Sequence, residues 1–441
     1  MKRIKKIAAL TCAATLSVVA LAGCSTSNPG STGGSSGGVA ATGTINVLDW
    51  DGTTPAVADL FTKAKAAFES QYSGWTVNIQ NIDNADYYTK LLTMMAAGSP
   101  PDVYQLSESD VANYWGQGLL ADITPFANGS NPMSLDGFYP SVKNVFTIDG
   151  KMPVVATSMA TYAVYYNKDL FDAAGIAYPT AGWTWADFEK AAKQLTITQN
   201  GKITQFGAAL TPKSDDIEPL INAMGGSILS PDGKTATGYL DSAKTVAAVK
   251  YYTDLAQAVS PTVDDQTALG SAGSILTTGK VAMDVDGPWP LSTYQADKSL
   301  NFGVVEMPSY AGEAGTDWIY AGAYGIAAKS PNQQMAWNFI KIMSDPTTDI
   351  GKMWAQFGLP ATQALGKDPT YSAPEYAPFL SELNTGIIKS AYLQNPYFRA
   401  AQNQYLNPAL LTLASPPGGD VQSALTQAAQ QMDTYFTQQS G

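Results

Sequence analysis

The chain has 441 residues, 45% of them hydrophobic, and a formal net charge of −12 from 25 basic and 37 acidic side chains. That length exceeds what one hydrophobic core usually supports, so two domains are expected, and the acidic balance excludes nucleic acid as a partner, since phosphate backbones need clustered cations. Histidine is absent and cysteine occurs only at Cys12 and Cys24, which removes Ser-His-Asp triads, imidazole acid–base catalysis and His-rich metal sites.

At the start of the chain, Lys2, Arg3, Lys5 and Lys6 precede an apolar run from Ile7 to Ala20, closed by Leu21-Ala22-Gly23-Cys24. A basic start, an apolar centre and small residues at the end mark an export leader. This stretch of fourteen residues falls short of the ~20 that span a bilayer as a helix. The Leu-Ala-Gly-Cys ending resembles the lipobox of bacterial lipoproteins, which implies that residues 1–23 are a lipoprotein signal peptide and that Cys24 is diacylated. Removal of four basic residues and no acidic one then takes the formal charge from −12 to −16 and leaves no thiol for a disulfide, a zinc site or a nucleophile. Two acyl chains hold a protein at a membrane where one does so only marginally, so a protein anchored on the extracellular face of the cell membrane is expected. Residues 24–43 are the lipidated cysteine and a Gly/Ser/Thr linker with a mean reach of about 25 Å, a stalk that suits a Gram-positive wall.

Globular patterning follows. Thr44 to Trp50 alternates like a strand, and Val57, Leu60, Phe61, Ala64 and Phe68 recur at helical spacing. Trp75 to Gln80 reads as a strand and Ala85 to Ala97 as a helix, with Gly98 as its cap and Pro100-Pro101 preventing its continuation into a strand at Asp102 to Leu106. This alternation predicts α/β units on a sheet with covered faces. Thr184 and Asp187 have the spacing of a capping box, and Trp183 and Trp185 beside them read as structural. Strands are expected at Val281–Asp286 and Asn301–Val305, and a helix at Asn332–Met343. The last helix, Val421 to Gln438, should turn Leu425, Ala428, Met432, Tyr435 and Phe436 inward.

Two motifs fail on context or spacing. Gly116-Gln117-Gly118-Leu119-Leu120-Ala121 satisfies G-x-G-x-x-A but follows a helix-like stretch rather than a strand. Gly273 to Val281 has its glycines six apart instead of five and lacks the hydroxyl residue of a phosphate loop. Asp49 with Asp51, and Asp284 with Asp286, each project from one side of a strand end. Such carboxylates can solvate or cap the strand, hydrogen-bond sugar hydroxyls, or serve a glycosidase if they lie roughly 5–10 Å apart across a sugar.

Several segments in order resemble the extracellular solute-binding proteins of ABC sugar importers, the family that includes maltose-binding protein: Leu91–Asp102 (LLTMMAAGSPPD), Gln117–Pro125, Gly150–Phe171 (GKMPVVATSMATYAVYYNKDLF), Trp183–Phe188, Gly279–Trp289 (GKVAMDVDGPW), Asn301–Pro308 and Ala321–Asp345. The resemblance implies a periplasmic-binding-protein-like fold of Venus-flytrap type II, with two α/β lobes joined by hinge crossings: lobe one at 44–157 plus 319–361, lobe two at 158–318 plus 362–441. It implies a monomer that captures a mono- or oligosaccharide between the lobes and presents it to the transmembrane subunits of an ABC permease, with no cofactor, metal or catalytic residue. Sugar C–H faces stack on aromatic rings while hydroxyls bond planar polar groups. By the resemblance, Trp289 of Gly287-Pro288-Trp289 stacks on sugar, Trp50 and Asp51 lie in a ligand-facing loop, and Gly322, Tyr324 and Tyr397 are further contacts; Ser107 and Glu108 are candidate contacts in a loop that departs from the family pattern, and Asp286 is one through its strand-end carboxylate. Tyr104–Asp110 (YQLSESD) departs from maltose-binding protein, which argues against maltose itself. A surface glycosidase and a sugar sensor for a membrane kinase are the alternatives.

Overall fold

The computed structural model describes residues 41–440 apart from 149, 270–274, 311–319 and 386–389. The leader, Cys24 and the stalk up to residue 40 lie outside the described residues, as do Gly273 and Ser274 of the phosphate-loop near miss. Eleven strands occur among the described residues: β1 Gly43–Asp49, β2 Trp75–Asn81, β3 Val103–Ser107, β4 Val154–Ala160, β5 Ala163–Asn167, β6 Ile197–Gln199, β7 Lys202–Gln205, β8 Met283–Asp286, β9 Phe302–Val305, β10 Tyr320–Ile326 and β11 Leu359–Pro360. They form a six-stranded sheet in the order β11-β4-β10-β3-β1-β2, a three-stranded sheet β8-β5-β9 and the hairpin β6-β7.

The first lobe is built on the larger sheet. β1 runs parallel to β2 and β3, while β10 is antiparallel to both β3 and β4. Helix Pro55–Gln71 buries Val57, Leu60, Phe61, Ala64 and Phe68, the residues its spacing selected. The second helix spans Asn84–Ala96, and Gly98 follows at φ +71°, a conformation that costs a glycine little. The G-x-G-x-x-A stretch sits at the C-terminal end of helix Glu108–Gly116, and Gly118 at φ +66° turns the chain toward an isolated bridge between Leu120 and Ala327. That is a helix exit, with none of the strand-to-helix geometry a dinucleotide fold requires.

The second lobe packs around the smaller sheet. Along β5, Ala163 and Tyr165 join the core cluster shared with the first lobe, while Val164 and Tyr166 join the second cluster. Both faces are covered, which is why this strand is apolar throughout instead of alternating. The capping box at Thr184 and Asp187 forms in both directions at the start of helix Trp185–Leu195, and Trp183 and Trp185 are buried. The C-terminal helix Val421–Ser440 buries Leu425, Ala428, Met432 and Phe436 in the second cluster, with Tyr435 half-buried. Asn200 at φ +52° and Gly201 at φ +76° make the tight turn of β6-β7, an Asn-Gly hairpin signal that the pattern reading passed over.

The chain passes between the sheets from β4 to β5, from β9 to β10 and after β11. β4 stays paired with β10 through Ala160, so the first passage falls at Thr161–Tyr162. Beyond Pro360 the chain does not leave the first lobe at once: Thr362 bridges Phe138 and the Tyr371 hydroxyl donates to the Gly358 carbonyl at 2.7 Å. Among the described residues no helix is long and apolar enough to cross a membrane.

Candidate functional site

In open α/β sheets the groups free to meet a ligand lie beyond the carboxyl ends of the strands, where the ladder stops using the backbone. In the first lobe those ends bring together Trp50 and Asp51 after β1, Ser107 and Glu108 after β3, and the β4–β5 passage at Tyr162. The start of β10 joins them, because Gly322 pairs with both Ser107 and Ser158. In the second lobe Ala163 pairs with Asp286, so the end of β8 and the Gly287-Pro288-Trp289 turn lie at the same crossing. The sheet registers therefore place the two facing edges of the lobes at the hinge.

Aromatic surface is concentrated there. Trp289 is 37% exposed, unusual for so large a ring, and its edge contacts Tyr162 and Tyr320 with centroids 6.0 and 6.4 Å away. Tyr162 and Tyr320 lie 5.2 Å from each other. The tryptophan is pinned from behind. A Cβ on Gly287 would come within 2.2 Å of its Cζ3, so only glycine lets the ring fold back here, and the indole also bonds the Asp286 carboxylate. Asp286 accepts a further hydrogen bond from the Gly287 N–H at 2.8 Å. Burial, then the charge of Asp284, pushes the Asp286 carboxyl well above the usual range, while burial raises Asp284 to about 6 against a 2.9 Å bond from the Tyr294 hydroxyl. Asp216, bonded by the Tyr162 hydroxyl, is pushed up to about 8 by burial and then by neighbouring Asp215.

On the first lobe Trp50 packs edge-on to Tyr87 at 4.8 Å and tilts over Tyr88 at 6.0 Å, half-buried. Asp51 is buried and held by the Gln105 amide. Burial, then the charge of Asp49, raises its carboxyl well above the ordinary value, and burial raises Asp49 to about 6. Glu108 accepts from the Ala321 N–H at 2.8 Å, and burial lifts it to about 7. Carboxyls poised near neutrality both donate to and accept from hydroxyls, a property an alcohol-rich ligand uses.

The residues singled out from sequence fall into two sets. Trp289, Trp50, Asp286, Ser107, Glu108 and half-buried Gly322 converge on the facing edges, and half-buried Tyr397 stands two residues from Arg399, which reaches them. Asp51 and Tyr324 are turned inward. Asp51 works as a brace for its loop, and Tyr324 is fully buried in the first core with its hydroxyl on Asp49, so the expectation that Tyr324 meets the ligand gives way to a supporting role. Tyr88, Tyr162, Asp216, Tyr320 and Arg399 went unselected. Only Arg399 had a clear sequence signal: it is the sole arginine besides Arg3. A separate groove of about 850 Å³ lies among Phe206, Leu210, Pro261, Leu269 and Leu411, and none of the selected residues lines it.

Two α/β lobes with three chain passages and a polar–aromatic seam at the crossing define a hinged binding protein of type II. The chain matches the bacterial extracellular solute-binding proteins over residues 51–349 and belongs to that family, as its motifs implied. The diacetylchitobiose binding protein of Streptomyces coelicolor is 25% identical over 378 residues, 83% of either chain. The maltodextrin-binding protein of Bacillus subtilis is 28% identical over 253 residues, 55% of this chain and 56% of that one. Among solved structures, the ABC substrate-binding protein of Listeria monocytogenes in complex with cycloalternan aligns at TM-score 0.75 and 23% identity, covering 90% of this chain and 99% of that one. The maltose/maltodextrin-binding domain from Bdellovibrio bacteriovorus bound to maltotriose aligns at 0.73 and 18%, covering 89% and 100%.

Proposed function

We propose that this chain is the lipid-anchored receptor subunit of an ABC importer and captures an oligosaccharide between its lobes. The observation that carries the reading is the pairing of an exposed tryptophan, Trp289, with Tyr162, Tyr320 and hydrogen-bonding carboxyls at the seam of a solute-binding fold. The relatives that bind diacetylchitobiose and maltodextrin support a sugar as the solute.

Ligand bridging the lobes binds the closed form better and shifts the population toward it, and the closed shape is what the permease's transmembrane subunits recognise. Following the sheets, we assign lobe one to 44–160, 320–372 and lobe two to 163–305 with the chain from 374 onward, where Phe379 packs on Tyr165 of β5, which moves the first limit from 157 to 160 and the last from 361 to 372. Cys24 is our proposed lipid attachment, and the protein works as a monomer without catalysis. Purified protein is screened against maltotriose, diacetylchitobiose, mannobiose and glucose by thermal shift, with product analysis of the same mixtures. A ligand-dependent rise in melting temperature without turnover supports the reading; turnover, or no response to any sugar, sinks it.

A further inference from the structure

Arg399 is the one arginine after the leader, in a chain that otherwise uses lysine for every cation. Its neighbours Phe398 and Ala401 are buried in the second lobe's core, yet its guanidinium reaches the first lobe. Nε lies 3.2 Å from Asp110 Oδ2 and 3.1 Å from Ser109 Oγ, and Nη2 donates to Ser107 Oγ at 2.8 Å and also to Ser109 Oγ. Tyr88 of the first lobe and Tyr392 of the second flank the cation with centroids 5.7 and 5.1 Å away. The acceptors are themselves organised: Ser107 Oγ donates to Asp110 Oδ2 at 2.7 Å, and the Tyr88 hydroxyl lies 3.3 Å from Ser107 Oγ. On the other side the Tyr392 hydroxyl is bonded to Asp215 and to Gln402.

A planar fork that meets a carboxylate and two hydroxyls while lying against aromatic rings is what lysine cannot reproduce. We propose that Arg399 is a positioning residue: an interlobe latch that holds the ligand-free protein partly closed and so sets how much of the population is competent to bind. The apparent affinity of a hinged receptor scales with the fraction in the competent form, so a latch acts on every ligand by the same factor. The Arg399 and Asp110 side chains are 33% and 10% exposed, so salt reaches the pair and weakens it.

The test is small-angle scattering of purified ligand-free protein at low and high salt, with Arg399→Lys, Arg399→Ala, Asp110→Asn and the double variant Arg399→Ala/Asp110→Asn, each checked for unchanged far-UV dichroism. We expect Arg399→Ala and Asp110→Asn each to enlarge the radius of gyration, the closed-to-open ratio falling about fivefold, and the double variant to match the larger single effect because both remove one interaction. Wild type should expand with salt while Arg399→Ala does not, and Arg399→Lys should fall between. Equal radii for wild type and both single variants at low salt, or independent additive effects, overturn the latch. No ligand enters this measurement, so its outcome is separate from that of the sugar screen.

Discussion

Removing the Trp289 ring gives the sharpest test of the seam as a binding surface. The side chain is 37% exposed, and for a tryptophan of about 250 Å² that leaves roughly 90 Å² for a ligand to cover. At about 25 cal/mol per Å² this surface is worth ~2 kcal/mol of binding, and the directional preference of an aromatic face adds ~0.5–1 kcal/mol. Trp289→Ala should therefore weaken affinity by about 60- to 140-fold. The same substitution removes contacts to Tyr162 and Tyr320, so part of the loss could come from relaxation of the hinge aromatics. Gly287→Ala separates the two causes: it keeps the ring but drives it off its seat, since the new Cβ would meet Cζ3 at 2.2 Å. Isothermal titration calorimetry with whichever oligosaccharide gives the largest thermal shift reads both variants. Unchanged affinity in a folded Trp289→Ala protein would refute the stacking role, and unchanged affinity in Gly287→Ala alone would show that ring angle does not matter.

Three further outcomes follow from buried groups. Tyr324→Phe deletes the hydroxyl bonded to Asp49 and should cost ~1–3 kcal/mol in urea unfolding while leaving sugar affinity at the wild-type value; an affinity loss of about tenfold without loss of stability would return Tyr324 to the site. Burial raises Asp49 and Asp284 to about 6, Glu108 to about 7, and Asp216 and Glu218 to about 8, so between the unfolded carboxyl value near 4 and these values the folded state binds more protons than the unfolded chain. Stability should then fall as pH rises from about 5 to about 8.5, and a melting temperature that is flat or rising over that window refutes the assignment. Glu218→Gln should flatten the upper part of the fall, because Glu218 Oε1 accepts from the Ala391 N–H at 2.9 Å and Oε2 has no hydrogen-bond partner among the described residues.

The elements that sequence revealed are those whose signal is local. Helix Pro55–Gln71 was legible because five apolar residues share one stripe, and helix Trp185–Leu195 because Thr184 and Asp187 cap each other within one turn. The hinge was not legible from periodicity. β4 and β5 are separated by two residues and are both wholly buried, so nothing in their apolar run marks where one sheet ends and the next begins. Resemblance to a family supplied the crossing, and hydrogen-bond register fixed its place at Thr161–Tyr162. Tyr324 shows the opposite failure: its place two residues after Gly322 suggested a ligand contact, but it lies deeper along β10, where its ring is fully buried against Phe61 and Trp354 and its hydroxyl is bonded to Asp49.

What sequence could least foresee is the electrostatics of the seam, because each unusual group there depends on a partner far along the chain. Asp216 is perturbed beside Tyr162, Glu108 is bonded by Ala321, and Arg399 meets Ser107 and Asp110 from nearly three hundred residues away. Local propensity carries none of these pairings. Their common cause is topological: strand ends and chain passages gather side chains from distant positions and bury them together. Desolvation raises the pKa values of these carboxyls and costs stability. A ligand whose hydroxyls bond groups on both lobes makes all of those bonds only in the closed arrangement, and that differential contact is what lets it drive closure.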